Sequence, residues 1–255
     1  RPAEAYPVAL DLAYKALELD SLFAEAYKII GMVELYYNFD FISAEKLYKK
    51  ALELEHGNLQ VYDLYAELLF FKGEYSKALE MDHRAMAIDP TFIINKASYG
   101  AHLYYANQKD SAISHLIKTS ERDPVCHFNL GIIYGLEGEY EKSISELKKT
   151  LIGFSPISMT YLGLTYSRSG ALGETKRILD TLENSARNEF VPFSMRGVLL
   201  AELGLEKEAL NYLRKGYDER EEFILLLAHV DTISYSNLRK DPKYIQIMGK
   251  LRLEE

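Results

Sequence analysis

The sequence predicts an all-α fold, a superhelical solenoid of antiparallel helix pairs. Two observations carry this prediction. A small residue, a turn residue and a second small residue recur in that order six times, with a period close to 34 residues. Between the triplets, apolar residues recur at helical spacing and no alternating strand pattern occurs. A small residue lets two neighbouring helices approach closely, and glycine tolerates the left-handed conformation at a helix end, so the triplets mark helix pairs.

The template of this repeat begins at His127, with Gly131, Gly138 and Ser143 as its small, turn and small residues. The first interval is seven residues in every copy, and the second is five, except for six in the earliest copy. The other five triplets are Gly31, Asn38 and Ala44; Ala66, Gly73 and Ala78; Gly100, Asn107 and Ala112; Gly163, Gly170 and Thr175; and Gly197, Gly204 and Ala209.

The predicted starts of three helices are consistent with the repeat. Asp89-Pro90, Asp123-Pro124 and Ser155-Pro156 each place a capping side chain before a proline at the first helical position. There the missing N–H of proline costs nothing, because the first N–H groups of a helix have no partner within it.

The two ends of the chain depart from the repeat. Residues 1–20 hold only half a unit, the second helix of a pair, so we expect the sequence to be a fragment of a longer array. Residues 217–255 read as C-terminal capping helices, with Tyr217 to Val230 as one helix and a final helix from Pro242 to about Leu251, capped by Asp241. A partner-binding helical arm is the alternative for this end. Residues 1–216 then form the array, with six helix pairs that turn at Asn38, Gly73, Asn107, Gly138, Gly170 and Gly204.

Composition excludes several classes of function. The chain carries 30 Lys+Arg against 38 Asp+Glu without a basic run, so nucleic-acid binding is not expected. Cys126 stands alone, which excludes an internal disulfide, and the longest apolar run, Phe223 to Ala228, is too short for direct membrane insertion. The six histidines lack the spacing of metal ligands on one helical face, and neither a phosphate loop nor a catalytic triad is evident. We therefore predict no catalytic residues, no metal and no cofactor, and expect that the chain is not an enzyme.

The template copy resembles the tetratricopeptide repeat (TPR). The residues that carry the resemblance are His127, Leu130, Gly131, Tyr134, Ser143, Leu147 and Thr150. Two further stretches, Tyr36 to Glu45 and Leu238 to Tyr244, resemble the C-terminal repeat region of bacterial multidomain signalling proteins. In that group a winged-helix regulator, an adenylate cyclase or a serine/threonine kinase precedes the repeats.

The resemblance implies a concave groove lined by the first helix of each pair. Its groove-facing side chains occupy the second, fifth, ninth, twelfth and thirteenth positions, counted with His127 in the fourth. In the middle copies this implies an apolar, aromatic groove for a partner, lined by Phe70, Phe71, Ile94, Tyr104, Tyr105, Val125, Phe128, Ile132, Leu136, Ile157 and Leu164. The alternative is that tight superhelical curvature buries these side chains against one another.

Asp82 and Lys96 occupy adjoining positions where the family has aromatic residues. Two opposite charges in neighbouring apolar positions suggest a compensating pair, because an unpaired buried charge is expensive. We predict a structural ion pair or hydrogen bond between Asp82 and Lys96.

These observations favour a non-catalytic protein-interaction and regulatory scaffold that binds a protein partner, as a peptide or helix, in the groove of a larger bacterial signalling protein. Homodimerisation through the groove or the open N-terminal end is one alternative, and a small-molecule sensor is another. We expect a cytoplasmic location; a periplasmic one stays open because the N-terminal part is missing.

Overall fold

The computed structural model describes residues 2–91, 93–120, 124–151, 155–229 and 240–251, without the side chains of 93–96, 124, 227–229 and 250. These residues form α-helices and one π-helical turn, Glu34–Asn38, with no strand among them. The helices are α1 (Pro2–Leu19), α2 (Ala24–Val33), α3 (Phe41–Leu54), α4 (Leu59–Phe71), α5 (Tyr75–Ile88), α6 (Ile93–Tyr105), α7 (Lys109–Ser120), α8 (Pro124–Leu136), α9 (Tyr140–Lys149), α10 (Pro156–Arg168), α11 (Leu172–Ser185), α12 (Phe193–Glu202), α13 (Glu206–Asp218), α14 (Phe223–His229) and α15 (Pro242–Leu251).

Helices α2 to α13 form six antiparallel pairs stacked into a solenoid, which confirms the predicted fold class. The even-numbered helix of each pair faces the concave interior and the odd-numbered helix lies outside it. Helix α1 packs against α2 without a partner of its own among the described residues.

The small residues of the triplets mark the closest approach within each pair. A Cβ atom on Gly131 would lie 2.6 Å from Cγ of Leu147, sixteen residues further along the chain. In the first pair, Gly31 lies against Tyr48, seventeen residues on, because the π-helical turn takes up one extra residue. The same contact with a residue sixteen positions later recurs at Gly100 with Leu116 and at Gly197 with Leu213. A larger residue at these positions would push the two helices apart.

The turns between paired helices adopt the left-handed conformation, with φ of +79° at Gly138 and +63° at Asn107. Gly73, Gly170 and Gly204 share it. In the first pair the left-handed residue is Phe39, with φ of +60°, one residue after the predicted Asn38. Asn38 instead ends the π-helical turn, which shifts the reversal by one position.

The C-terminal end differs from the prediction in one respect. No helix begins at Tyr217, because α13 continues to Asp218 and the chain then reverses at Arg220, with φ of +58°, before α14 starts at Phe223. The final helix is confirmed: α15 spans Pro242–Leu251, and the Asp241 side chain accepts a hydrogen bond from the Lys243 N–H at 2.7 Å.

The two ends of the array meet. The ring of Phe39 stacks on that of Tyr217 at 6.0 Å and lies under the Arg220 guanidinium at 5.2 Å. The Tyr6 hydroxyl on α1 donates a hydrogen bond to Glu222, just before α14. Helix α14 packs on α12 and α13, and it also reaches α4 on the opposite wall. Helix α14 therefore lies inside the superhelix.

The described helices include none with the length and apolar character needed to cross a bilayer.

Candidate functional site

A cavity of about 310 Å³, which we call cavity 1, lies in the concave interior between α4, α6, α8, α10 and α14. Four successive inner helices supply its walls and α14 closes one side. Its lining residues are Asp63, Glu67, Phe70, Phe71, Ser98, Ala101, His102, Tyr105, Phe128, Asn129, Ile132, Ile133, Tyr161 and Leu226.

Aromatic rings form most of the apolar wall and hold one another in place. Phe70 meets Tyr105 edge-on at 5.1 Å and Phe71 at 5.8 Å. Across the cavity, Phe128 meets Tyr161 edge-on at 5.2 Å. Edge-to-face contacts at these distances are favourable beyond simple burial, so the rings are fixed in orientation.

Two carboxylates from α4 also face this cavity. Burial, together with the carboxylates of Glu67 and Asp82, raises the pKa of Asp63 to about 7, although His102 acts in the opposite direction. Burial likewise raises the pKa of Glu67, which accepts a hydrogen bond from the Tyr36 hydroxyl at 2.5 Å. Both shifts arise because a carboxylate loses hydration in a confined, largely apolar space.

Behind this wall, a buried carboxylate contacts a buried histidine. The Asp82 carboxylate, fully buried on α5, contacts Nδ1 of His102 on α6 at 2.6 Å. The His102 ring also stacks on Phe70 at 4.9 Å. His102 is thus a partner for Asp82 that the sequence did not suggest. The Lys96 side chain lies outside the described residues, so the Asp82–Lys96 pair stays a prediction.

A second cavity of about 300 Å³, cavity 2, lies on the other side of Glu67 and Phe71. It shares Leu226 with cavity 1, and its walls include Ile157 together with Glu221 and Glu222. Helix α14 therefore divides the concave interior into two compartments, and Glu67 reaches both.

The structure gathers part of the predicted groove. Phe70, Phe71, Tyr105, Phe128 and Ile132 line cavity 1, and Phe71 also lines cavity 2 with Ile157.

The other predicted groove residues lie elsewhere. The Tyr104 hydroxyl donates to Glu137 at 2.8 Å outside the cavities, and Leu136 is half-buried. Leu164 is a core residue with 3% exposure, and Val125 is 41% exposed at the start of α8. The side chain of Ile94 lies outside the described residues.

Sequence reasoning missed the polar part of the cavity. Asp63 and Glu67 occupy the fifth and ninth positions of their copy, counted as for His127, so the rule that gave Phe70 and Phe71 also points to them. The place of Leu226 could not be inferred in this way, because the C-terminal helices do not follow the repeat.

The acidic run 218–222 contains one buried carboxylate. Glu221 is 2% exposed and accepts hydrogen bonds from the backbone N–H groups of Phe193 and Ser194 at 2.7 and 2.8 Å, and from the Ser194 hydroxyl. A carboxylate at this position satisfies the free N–H groups at the start of α12 and complements the helix dipole. Glu221 therefore anchors the segment that leads into α14.

No group of three or more His, Cys, Asp or Glu side chains within the described ranges is arranged to hold a metal ion.

Comparisons with known proteins address the fold. No family model matches the chain. It is 27% identical over 194 residues to a TPR repeat-containing protein of Methanocaldococcus jannaschii, an alignment that covers 68% of this chain and 33% of that protein. The chain thus spans about a third of the length of this relative.

Solved structures with the same architecture have low sequence identity. PilW, a widely conserved type IV pilus biogenesis factor, is 18% identical with a TM-score of 0.56, and the match covers 80% of this chain and 98% of PilW. A chain of the APC/C hetero-tetramer Cut9–Hcn1 gives a TM-score of 0.62 at 13% identity, covering 99% of this chain and 47% of that one. Yeast Tom70 gives 0.57 at 14% identity, covering 96% and 62%. With its six stacked helix pairs and these neighbours, the chain has the fold of a tetratricopeptide-repeat array.

Proposed function

We propose that the chain is a non-catalytic interaction scaffold whose concave interior binds a segment of a protein partner, as a peptide or short helix. The observation that carries this proposal is cavity 1. Four successive inner helices and α14 converge on one aromatic space, although residues on those helices are far apart in sequence. Large ring surfaces in a concave site are typical of binding sites.

The setting in a larger signalling protein is part of the proposal and rests on sequence resemblance alone. The stretches Tyr36 to Glu45 and Leu238 to Tyr244 are similar to repeat regions that follow a regulator, cyclase or kinase domain. Occupancy of the interior would then be relayed to such a domain.

A peptide selection tests the binding function. A phage-displayed library of random 12-residue peptides is panned on the chain, and selected peptides are titrated by calorimetry. Phe128→Ala should weaken their binding by about tenfold or more, because the ring forms one wall of cavity 1. Ile132→Ala provides a second variant on the same helix.

The matched control is Ile117→Ala, a 51% exposed apolar residue on the outer helix α7. It should leave peptide affinity unchanged. If the selection yields no binder, or if Phe128→Ala and Ile117→Ala have equal effects on affinity, the interior is not the binding surface. Circular dichroism melting of each variant separates loss of binding from loss of fold.

Self-assembly is the second candidate, and the outer face of α1 favours it. Val8, Leu12 and Leu19 are 59%, 60% and 91% exposed there. An exposed apolar stripe of this kind suits a contact with a second copy. Sedimentation equilibrium should then give a mass that rises with concentration, and Leu12→Lys should restore the monomer mass. A concentration-independent monomer mass for the unmodified chain would exclude it.

A further inference from the structure

We propose that cavity 1 receives a basic side chain, arginine or lysine, of the bound peptide. The proposal rests on the proposed peptide-binding function and names the chemistry that the site selects.

The charge of the interior is the first argument. Among the described residues that line the two cavities, the acidic side chains are those of Asp63, Glu67, Glu221 and Glu222, and the cavities also include the imidazole of His102. Glu221 is engaged at the start of α12, and His102 is paired with Asp82. Among the lysine and arginine side chains that the structure describes, which exclude that of Lys96, none forms an ion pair with Asp63 or Glu67. Within the described part of the chain, the carboxyl groups of cavity 1 therefore have no lysine or arginine partner.

Helix geometry places the carboxyl groups of Asp63 and Glu67 next to each other. Asp63 and Glu67 are four residues apart on α4, so they project from the same face of that helix. Two like charges at this spacing repel each other, and the repulsion contributes to the raised pKa of Asp63. A cation placed between them would relieve the repulsion and offset their lost hydration.

The aromatic wall is the second, independent argument. The rings of Phe70, Phe71 and Tyr105 on one side, and of Phe128 and Tyr161 on the other, surround the same space. Ring faces attract ammonium and guanidinium groups, most strongly where water is excluded. A guanidinium can also stack on a ring while donating two hydrogen bonds to a carboxylate.

The volume of cavity 1, and the side chains that it would disfavour, limit the choice of occupant further. A volume of about 310 Å³ lies at the lower end of the range of about 300–1,000 Å³ for ligand sites, which suits one long side chain. An acidic side chain would be repelled by Asp63 and Glu67. A purely apolar one would leave the half-buried Asp63 carboxylate beside that of Glu67 without a compensating cation, which is costly.

The test repeats the peptide selection on two variants. The site variant, Asp63→Asn with Glu67→Gln, replaces both carboxyl groups of the cavity with neutral amides, and the amide introduced in place of the Glu67 carboxylate can still accept a hydrogen bond from the Tyr36 hydroxyl. The matched control, Asp110→Asn with Glu141→Gln, makes the same pair of replacements at exposed positions of the outer helices α7 and α9. We expect an arginine or lysine at one fixed position in peptides selected on the unmodified chain and on the control. That preference should disappear with the site variant, and its affinity for the original peptides should fall by about tenfold or more.

A second probe is independent of any peptide. n-Butylguanidinium and its neutral analogue n-butylurea are titrated into the chain while tyrosine side-chain NMR signals are followed. Shifts at Tyr105 and Tyr161 that occur with the cation but not with the urea, and that vanish in the site variant, are the expected result.

The outcomes separate this inference from the proposed function. Peptides selected without a basic preference, together with equal effects of the two probes, overturn the basic-side-chain proposal and leave peptide binding intact. A basic preference that the control loses as fully as the site variant also overturns it, because net charge alone would then explain the selection. If no peptide is selected, peptide binding fails, and the two probes alone decide whether the cavity is cation-selective.

Discussion

The contacts within each helix pair and the contacts in the concave interior of the superhelix depend on the sequence in different ways. Within a pair, Gly131 meets Leu147 sixteen residues later, and this contact recurs along the array at nearly constant separation. In the concave interior, Asp63 and Leu226 line one cavity although more than half the chain separates them. Contacts of the first kind repeat with the sequence, whereas contacts of the second kind depend on how many repeats are stacked and with what curvature.

This difference shows which contacts are common to the repeats and which depend on individual residues of particular copies. A pair needs small and apolar residues at fixed intervals, and most copies supply them. The concave interior collects residues from α4, α6, α8, α10 and α14, so a polar residue in one copy is placed beside rings from others. Asp63, Glu67 and His102 break the apolar pattern of their copies, and all three meet at cavity 1.

The largest expected effect on stability comes from the contact of Asp82 with His102, where these two regions touch. Asp82→Ala should destabilise the fold by about 3 kcal/mol or more, because it leaves the buried His102 ring without this hydrogen-bond partner. Urea denaturation followed by circular dichroism measures the change. Glu80→Ala, on the same helix in an exposed pair with Arg84, should cost less than about 1 kcal/mol.

The same experiment tests the predicted partner Lys96. A double-mutant cycle of Asp82→Ala with Lys96→Met reports the coupling of the two side chains. Coupling above about 0.5 kcal/mol would support the predicted pair, and additive effects would reject it. Equal effects of Asp82→Ala and Glu80→Ala would contradict the buried contact of Asp82 with His102.

An intermediate loss of stability should come from substitutions of Gly131 and Gly138. Comparing the two separates the effect of helix packing from the effect of turn conformation. Gly131→Ala places a Cβ 2.6 Å from Cγ of Leu147 and should cost about 1–3 kcal/mol, less the gain in helix propensity of up to about 1 kcal/mol. Gly138→Ala meets no atom within 4 Å, but φ of +79° strains a non-glycine residue by about 1–2 kcal/mol. Both are measured by thermal and urea unfolding.

A second substitution tells the two causes apart. Leu147→Ala removes the group that the new Cβ would strike, so it should be markedly less than additive with Gly131→Ala. With Gly138→Ala it should be additive. Additivity in both double variants would contradict the close approach at Gly131.

The repeat could be predicted from sequence because its determinants are local. Gly138 and Asn107 mark turns through backbone conformation, and Gly131 marks packing through size, so each acts within about 16 residues. The π-helical turn before Phe39 is the local exception, where the longer interval was visible but the position of the reversal was not.

The candidate site could be predicted only in part. Phe128 and Ile132 follow from the repeat register, as do Asp63 and Glu67 once polar residues are read by the same rule. Helix α14 could not be placed in this way. Its position depends on the end-to-end contacts of Phe39 with Tyr217 and on Glu221, whose role depends on an N–H cluster from another helix.

The smallest expected effect is the pH dependence of stability that arises from Asp63 in the concave interior. Asp63 has a folded-state pKa of about 7 against 3.8 in the unfolded chain, so the folded state holds its proton more tightly. The resulting stabilisation is complete below pH 3.8 and is lost as pH rises through about 7. The melting temperature of the unmodified chain should therefore fall between pH 5.5 and pH 8. Glu202, whose pKa is also raised to about 7 by burial, acts in the same direction.

Asp63→Asn isolates the contribution of the cavity, because an amide stays neutral at every pH in this window. At pH 8 it should raise stability by about 1 kcal/mol, less than the full pKa shift implies because solvent reaches Asp63 in part. That corresponds to a gain of about 2–4 °C in melting temperature by calorimetry, and at pH 5.5 the gain should shrink. The control Asp110→Asn should shift the melting temperature equally at both pH values. A melting temperature for Asp63→Asn at or below that of the unmodified chain at pH 8 would mean that the interior does not penalise charge, and the contrast between the two regions would fail there.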